Sequence, residues 1–126
     1  MKMMIVDDSL VIRRKIEREI SLPALTAIVT ARDGKEAIDV FKEHMPDLVT
    51  MDLTMPHMQG AECVKELVKI KPDTVILVIS ALADKATAIK AIKNGARGFL
   101  CKPFTETQLN DALTKLIDYS EEVKGS

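Results

Sequence analysis

Five short apolar runs, at residues 3–6, 27–31, 48–52, 75–80 and 98–101, alternate with stretches in which apolar residues recur at helical spacing. The runs have strand length and lack polar alternation, the pattern of strands covered on both faces. Between them Ile12, Ile16 and Ile20 repeat at i, i+4 and i+8. Ala37, Ile38 and Phe41 follow, then Ala61, Val64, Leu67 and Val68, then Ala88, Ile89 and Ile92. The last stretch is the clearest, with Leu109, Ala112, Leu113, Leu116 and Ile117 forming the stripe of an amphipathic helix. Ser9 and Thr105 stand where N-caps belong, and Asp33-Gly34 and Asn94-Gly95 mark turns. Strict βα alternation implies an α/β fold with a parallel sheet and helices on both sides, because parallel strands need crossover connections.

At 126 residues with 47% hydrophobic content, one domain with a real core is expected. We place it at residues 1–120, with 121–126 as a short tail. Eighteen Lys+Arg stand against 19 Asp+Glu, so there is no basic field to hold nucleic acid or an anionic membrane. The opening MKMMIVDDS is too short in apolar residues for a signal-peptide core or a membrane span, which points to the cytoplasm. Cys63 and Cys101 lack metal-ligand spacing and read as packed, reduced thiols.

In a doubly wound sheet, function gathers outside the carboxyl ends of the strands. The first run leads into Asp7-Asp8, the third ends at Asp52, the fourth at Ser80, and Lys102 follows the fifth. Three carboxylates cannot all stay ionised at one edge without a compensating cation. Hard oxygen ligands suit Mg²⁺, and an ammonium adds a second positive charge. A divalent metal, a lysine and a hydroxyl around one carboxylate can neutralise three phosphoryl oxygens during in-line transfer, with Asp52 as nucleophile. Taken singly, each group has an ordinary reading as a turn, cap or surface residue. Their joint placement after four strands is improbable by chance.

The segments MMIVDDS (3–9), DLVTMDLTMPHMQG (47–60), VILVISA (75–81) and GARGFLCKPF (95–104) resemble the receiver domain of two-component response regulators, of the single-domain CheY-like kind. The resemblance implies a five-stranded sheet of order 2-1-3-4-5 with five helices. It implies that Asp52 is the phosphoacceptor and that Asp8, Asp52 and the Thr54 backbone carbonyl ligate Mg²⁺, with Asp7 acting through a water. Lys102 and Ser80 would each take a phosphoryl oxygen, Ser80 and Phe99 would form the switch, and Thr54 and Leu82 would modulate the phosphoryl lifetime. The Lys102-Pro103 bond would be cis. The chain would promote its own phosphorylation and dephosphorylation at Asp52 without being a conventional enzyme.

The implied donor is a sensor histidine kinase or histidine phosphotransfer protein. The implied output is a protein target met by a monomer through the face of the fourth helix, fifth strand and fifth helix, in chemotaxis or a related pathway. Lys85, Lys90, Phe99, Cys101 and Phe104 are candidate contacts there. Ser80 stands where many members carry Thr, and Phe99 lacks a tyrosine hydroxyl. His57 reads as an exposed loop residue close enough to tune the site's charge. A phosphorelay intermediate, a phosphate sink or a fragment of a larger regulator fits the same residues. A haloacid-dehalogenase-like phosphatase would need its aspartates as DxDx[TV] after the first strand. FMN binding would need a hydroxyl- and Gly-rich phosphate loop after the first strand, where DDSLVIRR would repel the phosphate.

Overall fold

The computed structural model describes residues 1–53, 59–81 and 85–125, with side chains through 119. The elements alternate as β1 (Lys2–Val6), α1 (Leu10–Glu19), β2 (Ala27–Ala31), α2 (Gly34–His44), β3 (Leu48–Asp52), α3 (Gly60–Ile70), β4 (Val75–Ala81), α4 (Lys85–Lys93), β5 (Gly98–Lys102) and α5 (Glu106–Gly125). The strands form one parallel sheet in the order β2-β1-β3-β4-β5. This is the fold class and strand order that the resemblance implies. Helix α5 continues through residues 121–125, the stretch set apart by sequence as a tail.

Alternation along the strands divides the core in two. Met4, Val6, Val49, Met51, Ile76 and Val78 pack against α2, α3 and α4. Met3, Ile5, Leu48, Leu77 and Ile79 pack with Ile16 of α1 and with Leu109, Leu113 and Ile117 of α5. Each fully buried side chain of this size contributes about 1.5–3 kcal/mol, which is what makes unbroken apolar strands favourable here.

The helix starts follow the capping rules. Ser9 Oγ accepts from the Ile12 N–H at 3.3 Å, and Asp33 Oδ1 accepts from the Glu36 N–H at 2.8 Å. Thr105 and Gln108 satisfy each other's backbone N–H at 3.1 and 2.9 Å, a reciprocal capping box that starts α5. Gly95 adopts φ +122° after α4, so the Asn94-Gly95 turn needs glycine. Cys63 lies in the core and donates to the Gly34 carbonyl, and burial pushes its thiol up to about 12. Both cysteines are free thiols.

Packing overturns one expectation and splits one group. Ile89 and Ile92, which share helical spacing with Ala88, are 57% and 44% exposed. The small residues Ala88 and Ala91 face the sheet instead and let α4 lie close to it. Phe104, read as a surface contact, is 5% exposed and belongs to the core under α1 and α5. The turn that follows the cis Lys102-Pro103 bond carries its ring inward.

Candidate functional site

Strand register brings the functional groups to one edge. Val6 pairs with Met51, Asp52 with Ile79, and Ala81 with Lys102, so β1, β3, β4 and β5 end side by side. Asp7 and Asp8 lie just past the end of β1, Asp52 and Lys102 are the last residues of β3 and β5, and Ser80 is the penultimate residue of β4. One carboxylate oxygen from each of Asp7, Asp8 and Asp52 lies within 4.8 Å of the other two.

The β1–α1 turn is fixed by its own polar groups. Asp7 Oδ1 accepts from the Ser9 N–H at 2.9 Å, and the Asp7 carbonyl accepts from Arg13 Nη1 at 2.6 Å. Asp7 is 2% exposed, whereas Asp8 is open to solvent and has no hydrogen bond or ion pair among the described residues. Asp52 is 4% exposed. Gly60, the first residue of α3, sits directly on its backbone. A Cβ there would collide with the Asp52 carbonyl oxygen and lie 2.7 Å from Leu53 Cα. The Gly60 N–H also donates to the Leu53 carbonyl at 3.2 Å, so the chain returns tightly beneath the acidic edge.

Lys102 bridges the two buried carboxylates, with Nζ 3.3 Å from Asp7 Oδ2 and 3.4 Å from Asp52 Oδ1. Burial raises the Asp7 pKa above its ordinary value, although the Ser9 N–H and the Lys102 ammonium oppose the shift. Burial acts to lower the Lys102 pKa, but Asp52 and then Asp7 outweigh it and hold the ammonium above its usual range. The ammonium is therefore firmly charged, and burial makes the ionised form of Asp7 more costly than it is in solvent. Ser80 is buried beside this cluster, and its Oγ donates to the Ala81 carbonyl at 3.3 Å.

Three oxygen-donor side chains, one of them solvent-facing, form a set that fits a small hard cation retaining several waters. The half-buried Lys102 ammonium is one positive charge against three carboxyl groups, which leaves the cluster acidic enough to attract such a cation. The structure thus brings together Asp7, Asp8, Asp52, Ser80 and Lys102. Phe99 lies elsewhere, half-buried against α4. Thr54, His57 and Leu82, given roles by sequence, lie outside the described residues.

Sequence reasoning assigned no role to Gly60, Arg13 or Lys15. Gly60 was visible only as the last residue of the second matching segment. Arg13 and Lys15 look like ordinary solvated cations of an amphipathic helix, and only their contacts single them out. Lys15 Nζ donates to the Phe104 carbonyl at 3.0 Å and lies 4.5 Å from the Phe104 ring centroid.

A doubly wound sheet with an acidic triad and a lysine at its carboxyl edge defines the receiver class of signalling domains. The match to the model for the response regulator receiver domain spans residues 3–114, and the chain belongs to that family. It is 40% identical over 115 residues to the chemotaxis protein CheY of Thermotoga maritima, covering 91% of this chain and 96% of that one. It is 35% identical over 117 residues to the chemotaxis protein CheY of Bacillus subtilis, covering 93% and 98%. Among solved structures, the REC domain of AraT, a response regulator from Geobacillus stearothermophilus, superposes with a TM-score of 0.89 at 27% identity, covering 98% of this chain and 97% of that one. No helix among the described residues is long and apolar enough to cross a membrane.

Proposed function

We propose that the chain is a phosphorylation-operated switch in which Asp52 accepts a phosphoryl group from a histidine kinase or histidine phosphotransfer protein. The observation that carries this reading is the Lys102 ammonium held between two buried carboxylates at the carboxyl edge of the sheet. In the transfer, an Asp52 oxygen attacks phosphorus, and the P–N bond of the phosphohistidine breaks with its electron pair leaving on the imidazole. An acyl phosphate forms. Lys102 and Ser80 each take one phosphoryl oxygen. Asp8, Asp52 and the Thr54 carbonyl would hold Mg²⁺, with Asp7 acting through a water. Bound there, the ion supplies positive charge to the remaining phosphoryl oxygen and relieves repulsion among the carboxylates.

The relatives named as chemotaxis proteins support a chemotaxis-type pathway. Incubation with acetyl phosphate and Mg²⁺ is expected to add one phosphoryl group by intact mass, and EDTA to abolish the addition. A chain that stays unlabelled at millimolar Mg²⁺ contradicts the reading.

For output we propose the face of α4, β5 and α5. Ile89, Ile92 and Phe99 line an apolar depression there with Ala88, flanked by Lys85 and Lys93. Charge added at Asp52 acts at a distance only by biasing an element with two arrangements. Ser80 Oγ would leave the Ala81 carbonyl for a phosphoryl oxygen, and the Phe99 ring would move toward the space vacated. Phe99→Ala is therefore expected to accept phosphate normally and to lose the gain in partner affinity that beryllofluoride gives the wild type. An undiminished gain would remove Phe99 from the relay.

A further inference from the structure

Helix α1 touches both loops that carry the site's opposite charges. Arg13 Nη1 donates to the carbonyl of Asp7, and Lys15 Nζ donates to the carbonyl of Phe104, two residues past Lys102. Residues two apart on a helix point in different directions, so these side chains reach to different sides of α1. One rigid helix thus grips the β1–α1 turn with one cation and the β5–α5 turn with the other.

The second grip matters because β5 is the edge of the sheet. The backbone of Lys102 is positioned by β4 on one side only. Its flexible stem must still place an ammonium 3.3 and 3.4 Å from two carboxylates. Phe104 supplies the missing anchor. Its ring is buried with Leu109 and Leu113, and Lys15 closes over it with a carbonyl hydrogen bond and a cation–ring contact.

We propose that Arg13 and Lys15 are positioning residues that divide the site between them: Arg13 sets the Asp7-Asp8 turn for cation binding, and Lys15 sets Lys102 for phosphoryl transfer. The inference rests on the Asp52 reading for its transfer half, while the cation half stands on binding alone.

The division predicts a crossed pattern. Arg13→Met should weaken Mg²⁺ binding to the unphosphorylated protein about tenfold, as loss of a group that orients metal ligands does. Its labelling rate at saturating Mg²⁺ and acetyl phosphate should stay within about threefold of wild type, since Lys102 is untouched. The sign is informative, because removing a positive charge near a cation site should by charge alone tighten binding. Lys15→Met keeps the stem over Phe104 and removes the ammonium. It should leave the Mg²⁺ dissociation constant within about twofold and cut the maximal labelling rate about tenfold, the scale of a misplaced transition-state group. Reading the maximal rate at saturating donor removes any effect of Lys15 on donor encounter.

Lys15→Arg can still donate to the carbonyl and stack on the ring, and should restore the rate to within about threefold of wild type. Lys15→Gln, shorter and neutral, replaces Lys15→Met if the latter does not fold, with the same loss expected. The measurements are Mg²⁺ titration calorimetry without donor, labelling time courses by intact mass, and thermal midpoints. The crossed pattern with rescue by arginine establishes the brace. Parallel changes in both readouts, tighter Mg²⁺ binding in Arg13→Met, or a lowered midpoint with wild-type rates and affinities overturns it. A wild type that takes no label defeats the Asp52 reading instead, and the calorimetry still decides the role of Arg13.

Discussion

Lys102→Met is expected to lower the maximal rate of Asp52 phosphorylation by about 10²–10³-fold, the loss seen when one preorganised donor to developing negative charge is removed. The ammonium already sits 3.4 Å from Asp52 Oδ1, and the fold keeps its positive charge secure by placing Asp52 and Asp7 around it. It therefore needs little reorganisation to meet an incoming phosphoryl oxygen. Methionine preserves the stem and removes only the charge. Its loss also leaves two buried carboxylates without their nearest cation, so the thermal midpoint in EDTA should fall and recover in part with Mg²⁺. Labelling within tenfold of wild type at saturating Mg²⁺ would show that Lys102 serves the fold rather than the transfer.

Asp7→Asn should move stability and metal affinity in opposite directions. Burial raises the Asp7 pKa, so the folded metal-free protein holds that proton more tightly than the unfolded chain does. Between the unfolded value and the raised folded one, stability increases as pH falls; above the folded value, the buried charge is a standing cost. Asparagine removes the charge and keeps an oxygen to accept from the Ser9 N–H. At neutral pH in EDTA the variant should melt at a higher temperature than wild type. The advantage should shrink as pH is lowered through the folded pKa of Asp7. Mg²⁺ binding should meanwhile weaken about 10–100-fold. A destabilised variant in EDTA would mean that the Lys102 ion pair outweighs the burial of Asp7.

The parts of this molecule legible from sequence are those that a local pattern records. Strands buried on both faces must be apolar throughout, so β3 and β4 announce themselves. Ser9 and Thr105 declare helix starts because orphaned N–H groups need their oxygens. Asp7, Asp52, Ser80 and Lys102 could be grouped because parallel strands deliver their carboxyl ends to one edge, which holds before any strand order is known. The order itself came from resemblance, since alternation does not say which strands are neighbours.

What sequence concealed depends on neighbours in space. Ile89 and Ile92 have helical spacing, yet Ala88 and Ala91 take the sheet-facing side, and hydrophobic periodicity alone favours the larger residues. Phe104 looked exposed because it follows a Lys-Pro turn whose direction the sequence does not encode. Gly60 is required by the backbone of Asp52, eight positions earlier in the chain. Arg13 and Lys15 matter through carbonyls, and a carbonyl leaves no trace in the identity of the residue that bears it.

The central claim is that Asp52 itself becomes the acyl phosphate. Wild-type protein labelled with acetyl phosphate and Mg²⁺ can be treated with borohydride, which reduces an acyl phosphate to the alcohol and converts a phosphorylated aspartate to homoserine. Peptide mass spectrometry then reads the position. Homoserine at residue 52, absent without donor and absent in EDTA, is the predicted result; homoserine at residue 7 or 8, or label that survives in Asp52→Asn at the wild-type level, would contradict it.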